Sequence, residues 1–421
     1  MIHLKQLTMS FLMIMSITSY STGSENILML NTKPYTSTQS IRGALGAHNT
    51  TVHTEGELRT GYITFKKNGA QPISACALGG HMHVDTERWN GMMIALSAYT
   101  VLNPSGNQNP LHQNSDFFDN NGKGFSTLSE AFIDAKWKNT HIKLGRQTLD
   151  TPLVDADDIR MIPNYFTAYT ITNTAIENLM LAVGLIDKMA GWENGVNASE
   201  FVNISQVLGA NEETDGVYYM SISYEGIQDT SLSLWYYRYD NIEDILYAEA
   251  DYTQMLSKSI VTTLGLQYAH GQNSGKALLG KKDASTFGTN IKINFQKRGT
   301  TLMVAYNKDN GQTGAIDLSL GGGPFFTSME DQTIDTIAGK GTAWMGGFTV
   351  NIPVNTTFGV YYGMFRSDTL TTHHHASETD LVIKYSPNNH ITLTTVYALI
   401  KHKDDNIVDH NQFRFIGNYS F

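Results

Sequence analysis

Apolar and polar side chains alternate along most of the chain. In 130–137 (EAFIDAKW), Ala131, Ile133, Ala135 and Trp137 share one face, opposite Glu130, Asp134 and Lys136. The run 289–296 sets Ile291, Ile293 and Phe295 against Asn290, Lys292, Asn294 and Gln296. In 381–385, Leu381, Ile383 and Tyr385 oppose Lys384, and 391–399 aligns Ile391, Leu393, Thr395, Tyr397 and Leu399. A period of two predicts strands with one apolar face. A soluble sandwich and a membrane barrel share that alternation with the faces reversed, so the connections must decide.

Several strand pairs are joined by a few turn-forming residues: 138–141, Lys297–Arg298–Gly299, Pro353–Val354–Asn355 and Pro387–Asn388–Asn389. Between these hairpins lie long polar connections at 103–126, 147–170, 190–214, 271–284, 309–342, 367–377 and 403–411. Short turn and long loop in alternation is the layout of an outer-membrane meander, whereas long structureless loops are uncommon in soluble domains. The pattern predicts an all-β, transmembrane, antiparallel up-and-down barrel of about sixteen to eighteen strands, with eighteen favoured. The early strands are set at 56–66, 74–86 and 88–101. The absence of a fixed sequence period argues against a propeller.

The C-terminus sharpens this reading. In NQFRFIGNYSF, Phe413, Phe415, Tyr419 and Phe421 alternate with Arg414, Asn418 and Ser420. That is a lipid-facing strand with an aromatic girdle, and its terminal Phe is similar to the signal that such barrels present to the barrel assembly machinery. At the other end, residues 1–24 place Lys5 before an apolar stretch, Leu7 to Ile17, followed by small residues. This is a secretory signal peptide, leaving 25–421 as the barrel.

Composition narrows the function. Of 421 residues, 21 are Tyr, 18 Phe and 37 Gly, while Pro numbers only 9, a balance suited to long sheets. Mean hydropathy is −0.24, and after the first 20 residues no run of about 20 apolar residues offers a helical span. A net charge of −10 without a basic stripe argues against nucleic acid as a partner. Cys76 is the single cysteine, so neither an intrachain disulfide nor a cysteine metal cluster can form.

Residues 141–172 read HIKLGRQTLDTPLVDADDIRMIPNYFTAYTIT. A strand ending Leu144–Gly145–Arg146–Gln147 leads to Thr151–Pro152–Leu153, Asp158–Ile159–Arg160 and Pro163. This segment resembles the OprD-type outer-membrane porins. The segments around 175–187, 232–254 and 379–399 also resemble the related major-outer-membrane-protein porins of epsilon-class Gram-negative bacteria. The resemblance implies an eighteen-stranded barrel in the outer membrane, a monomer or homotrimer, passing small hydrophilic solutes and ions. It also implies one loop folded into the pore. Basic residues at Arg59, Lys136, Lys143, Lys292, Lys384 and Arg414 occupy lumen-facing positions but are scattered in sequence, and the overall balance is acidic.

In the expected constriction loop, Asp150, Asp155, Asp157 and Asp158 face Arg146 and Arg160. Rings of charge at the narrowest point set selectivity, and four carboxylates against two guanidiniums favour cations. The bland alternative is that these aspartates make turns and ion pairs within the loop. No cofactor is expected, with Asp155, Asp157 and Asp158 as a weak Ca²⁺ candidate that lacks EF-hand spacing. His373–His374–His375 form an external polar tip with some capacity for a transition metal. No G-x-S-x-G or H-E-x-x-H occurs, and the histidines at 81, 83, 141, 270, 390, 402 and 410 are dispersed, which disfavours a barrel hydrolase. A surface adhesin is the other alternative: loops 190–214 and 309–342 are long, and Gly321–Gly322–Gly323 reads as flexible and exposed.

Overall fold

The fold is given by a computed structural model, which describes residues 52–421 apart from 106–113, 120–121, 338, 354, 368–373 and 404–406. The expected export segment, 1–24, and His373 lie outside the described residues. Among the described residues, nineteen strands form one antiparallel sheet. They run β1 (Val52–Lys67), β2 (Ile73–Thr86), β3 (Met92–Leu102), β4 (Phe125–Trp137), β5 (Thr140–Gln147), β6 (Tyr165–Asn173) and β7 (Leu179–Ala190). Next come β8 (Val202–Asn203), β9 (Val217–Ile227), β10 (Thr230–Tyr239), β11 (Glu243–Ser257), β12 (Ile260–Asn273) and β13 (Asp283–Phe295). The last are β14 (Thr300–Asp309), β15 (Gly341–Ile352), β16 (Thr356–Ser367), β17 (His375–Asn388), β18 (Ile391–His402) and β19 (His410–Ser420).

Each strand pairs with the next, except that β8 is a two-residue appendage on β7, which pairs mainly with β9. The other eighteen make the wall. β1 pairs with both β2 and β19, so the sheet has no edge. The terminal residue completes the seam: Phe421 donates its N–H to the Gly56 carbonyl at 2.9 Å, and Gly56 donates back at 3.0 Å. Closure satisfies every backbone group that an edge would leave bare, the condition for a sheet in lipid.

Connections alternate as expected. At one rim the chain turns within a few residues, as at Lys138–Asn139 and Gln228–Asp229. Asp229 sits there at φ 58° and Gly299, closing the 296–299 turn, at φ 56°, a left-handed backbone that tight hairpins require. All seven long connections leave from the opposite rim. Two short ones, 68–72 and 240–242, leave from that rim too. Their brevity hid them in the sequence.

The faces divide by parity. Leu58 (60 % exposed), Met220 (56 %) and Val304 (56 %) stand outward, while Arg59, Tyr219 and Met303 beside them are covered. An exposed apolar belt around a closed barrel is a lipid-facing surface. The inward face is less uniformly wet than alternation suggests, because loops fill part of the lumen. Phe325, Phe326, Leu318 and Leu320 from 310–340 pack with Tyr237, Tyr239, Tyr247 and Tyr361 of the wall. A second cluster sets Met161, Ile162, Phe117 and Phe118 against Ile63, Ala75, Ala77 and Tyr99.

Candidate pore constriction

Among the described residues, parts of the β3–β4 and β7–β9 connections reach inward, and two loops, where one was expected, build the narrow part of the barrel. The first, 148–164, joins β5 to β6. The second, 310–340, joins β14 to β15, and the expectation of an exposed, flexible 309–342 surface does not hold. Thr327 and Ser328 are buried, as are the phenylalanines before them. Backbone donors of this loop are taken by inward polar side chains: Asp331 N–H and Gln332 N–H donate to Glu378 at 2.9 and 2.6 Å, and Thr327 N–H to Asn307 at 3.0 Å. In turn Tyr239 Oη donates to the Leu318 carbonyl at 2.8 Å and Gln267 to that of Pro324 at 2.6 Å. A loop inside a barrel must replace water for its backbone, and these inward polar residues do so. The two loops are tied by a short parallel bridge, in which Leu320 N–H donates to Leu153 and Asp155 N–H to Leu320, both at 2.9 Å. The apolar run AIDLSL…PFF, too apolar for a solvated loop, was the available signal.

The tip of the first loop, Asp158–Ile159–Arg160, reaches the wall at the seam between β1 and β19. Arg59 binds the Asp158 carboxylate through both terminal nitrogens (2.8 Å for Nη2) and donates to the Arg160 carbonyl at 3.0 Å. Its Nε donates to Glu57 and to Asn418, each at 3.0 Å. Arg414 donates to the Ile159 carbonyl and, at 2.7 Å, to Glu330 of the second loop. Arg160 reaches the other oxygen of Glu330 at 3.2 Å, lies 3.6 Å from Asp116 and stacks over Trp192 at 4.8 Å. Glu330, with no exposed side-chain surface, therefore bridges two guanidiniums that are themselves covered.

Between the two loops lies a cavity of about 510 Å³. Asp150, Asp155, Asp157 and Asp158 of the first loop line it, with Glu330, Asp331 and Asp335 of the second and Glu193 from the β7–β9 connection. No lysine or arginine is among its lining residues. Burial pushes the Asp335 carboxyl up to about 7. It pushes Asp157 up to about 6, although Arg160 and Arg414 pull the other way. Glu193 is raised well above the ordinary range by burial and then by the neighbouring Asp157. Asp331 goes the other way, because hydrogen bonds from His410 and Gln332 outweigh its burial.

Of the residues expected in the constriction, Asp150, Asp155, Asp157, Asp158 and Arg160 come together here. Arg146 does not. It shares the outward phase of Ile142 and Leu144, donates to the Leu128 carbonyl at 3.0 Å and lies over the Phe201 ring. The reason is register: Arg146 is still within β5, opposite Ala131, one residue short of the loop. The acidic–basic opposition instead rests on Arg59, Arg160 and Arg414. The three Ca²⁺ candidates are dispersed in role, since Asp158 is held by Arg59 and Asp155 accepts the Asp157 N–H at 2.7 Å in a turn. Among the described residues no group of three or more His, Cys, Asp or Glu side chains is disposed to hold a metal. His374 stacks edge-on to His402, beside the start of β17.

The six bases assigned to the lumen all take the inward phase. Lys136 faces His141, Lys143 lies 3.9 Å over the Phe132 ring, Lys292 is opposite Met303, and Lys384 is buried. On β19 the aromatic row faces outward, with Tyr419 stacked on Phe421 and Phe413 beside Tyr62. Sequence reading missed Glu330, Glu57 and Glu193.

The family profile of outer membrane porins, OprD family, matches residues 102–420. Among curated protein sequences none matches. Among solved structures, OccK9 (OpdG) of Pseudomonas aeruginosa superposes with a TM-score of 0.76 at 17 % identity, covering 88 % of this chain and 98 % of its own. OccAB3 of Acinetobacter baumannii gives 0.76 at 13 %, covering 88 % and 99 %. OpdK of P. aeruginosa, solved with vanillate, gives 0.74 at 15 %, covering 89 % and 98 %.

Proposed function

Because the chain belongs to the OprD family of outer-membrane porins, we propose that its two inserted loops form a cation-preferring constriction for passive diffusion of small hydrophilic solutes and ions. The OprD family and the closed barrel support a multi-pass outer-membrane channel in preference to an enzyme, read with long loops to the outside and short turns to the periplasm. The observation that carries the preference is the cavity between the loops, lined by no base and by carboxylates from three connections, of which Asp158 and Glu330 are already paired with arginines and the others supply the excess. A wall of one sign raises the local concentration of the opposite ion.

OpdK was solved with vanillate, an aromatic carboxylate. An anionic solute needs guanidiniums turned toward it. In this chain Arg59, Arg160 and Arg414 are each engaged by a carboxylate, Asp158 with Glu57 or Glu330, so their charge is compensated before any solute arrives. The outward aromatic row Phe413, Phe415, Tyr419 and Phe421 is the natural handle for the assembly machinery.

The test is single-channel recording of the purified chain in a planar bilayer with a KCl gradient. Stepwise conductance with a reversal potential toward that of K⁺ is expected. A reversal potential toward that of Cl⁻ would end the cation reading and leave the porin assignment intact.

A further inference from the structure

A band of basic residues encircles the outward face at the long-loop rim. Nine strands rise to that rim: β1, β3, β5, β7, β10, β12, β14, β16 and β18. In six of them the penultimate residue is an outward base: Lys66, Arg146, Arg238, Lys308, Arg366 and Lys401. Phase is fixed by neighbours on the same strand or directly across, such as Tyr62 for Lys66, Met364 for Arg366 and Phe287 for Lys308, all exposed to lipid. Below the bases, two or four residues along the same face, stand rings such as Tyr236, Tyr306 against Trp344, Tyr362 and Tyr397. At about 3.3 Å per residue the bases lie just beyond that aromatic girdle, at headgroup depth.

The opposite rim has no counterpart. Outward positions at its strand ends carry residues such as Trp137, Ile171, Tyr224, Leu256, Phe295, Ile352 and Tyr419, and among the described strand residues there no Lys, Arg, Asp or Glu takes the outward phase. Outward acids on the strands of the basic band include Asp244, across from Arg238, and Asp283, across from Gln272. Both are away from the arc β14 to β1 through the seam. In that arc Lys308, Arg366, Lys401 and Lys66 recur on alternate strands, about 10 Å apart, with Thr342, His375 and Asn411 between them.

We propose that this collar, and above all the β14–β1 arc, binds the phosphate groups of anionic glycolipid in the outer leaflet. The argument is charge complementarity confined to one leaflet. On that side ammonium and guanidinium groups stand on the outward wall itself at headgroup depth, where a phosphorylated surface can pair with them, whereas the bases of the other rim, Lys138, Lys258, Lys297 and Arg298, lie in the turns beyond the strand ends. The arrangement would seat the barrel at a fixed depth and hold a shell of lipid around it.

The probe is lipid A carrying its two phosphates, against the same lipid A dephosphorylated, presented in mixed micelles to the full barrel. Wild-type protein is expected to prefer the phosphorylated form by at least about tenfold at low salt, from a few bases each contributing up to roughly fivefold, and to lose that preference as NaCl rises. The variant Lys66→Gln/Lys308→Gln/Arg366→Gln/Lys401→Gln is expected to lose it while keeping wild-type single-channel conductance. Equal binding of the two lipids by the wild type, or a quadruple variant that keeps the preference, overturns the proposal. If the variant fails to fold, the salt titration of the wild type decides: a preference unchanged between about 50 and 500 mM NaCl refutes a phosphate-binding collar.

Discussion

Glu330→Gln removes one charge from the centre of the constriction and little volume. In the wild type that carboxylate holds Arg414 at 2.7 Å and Arg160 at 3.2 Å, and accepts from Gln412 at 2.9 Å. The three side chains of this bridge are 0–6 % exposed, so water cannot take over the lost contacts. Breaking a buried pair by neutralising one partner costs about 3–5 kcal/mol. Arg160 keeps Asp116 at 3.6 Å and Arg414 keeps the Ile159 carbonyl, which puts the expected loss near the lower end, about 3 kcal/mol. The cost falls on docking of the second loop against the first and not on the wall, whose ladders do not involve Glu330. Limited proteolysis of the folded barrel is the direct assay. Cleavage within 310–340 should rise by roughly a hundredfold if it tracks the opened population, while the wall remains resistant. The same variant should shift the reversal potential toward anions, since two guanidiniums lose their shared counter-charge. Proteolysis within about threefold of wild type, with unchanged selectivity, would refute the bridging role.

Acid should weaken cation preference. Asp335, near 7, and Asp157, near 6, are raised carboxyls, so each is charged above its value and neutral below it. Reversal potentials taken from pH 8 to 5 should move toward zero through that window, and a flat profile would contradict it. Gly321→Ala should loosen the bridge between the loops. Gly321 sits at φ 112°, and an added Cβ would come 2.1 Å from the Asp155 carbonyl oxygen. A cost of roughly 1–3 kcal/mol should show as noisier open-channel current with the melting of the wall unchanged.

What the sequence disclosed followed from local rules. Strand parity is a period-two property, so Ile291, Ile293 and Leu381 could be turned outward and Lys292 and Lys384 inward without any tertiary knowledge. Hairpins showed through Gly299 and Asn388. The 147–170 loop showed through its motif. What stayed hidden depended on partners far along the chain. The role of Glu330 exists only because Arg160 and Arg414 meet it, 170 and 84 residues away. Arg146 was misplaced because a one-residue shift of a strand end moves a side chain from lumen to lipid. The loop 310–340 looked exposed because its length and glycines outweighed its Phe325–Phe326 pair. The apolar content was the better guide, since a solvated loop gains nothing from buried rings.

The position of the arginines links the constriction to barrel closure. Arg59 is on the first wall strand and Arg414 on the last, and they approach one another only where β1 pairs with β19, with Arg59 opposite Asn418 and Ile63 opposite Arg414. The loop tip docks on both: Asp158 on Arg59, Ile159 on Arg414. Before the seam forms, Asp158 can meet Arg59, since both lie between β1 and β6, but Ile159 lacks Arg414 and Arg160 lacks Glu330, so the loop tip has only part of its anchorage. The inward loop can therefore be fully anchored only after, or together with, the pairing that closes the wall. A loop that settled earlier would lie across a lumen still open at one side. Placing its anchors on the two strands most distant in sequence makes the narrow part of the channel contingent on a finished barrel.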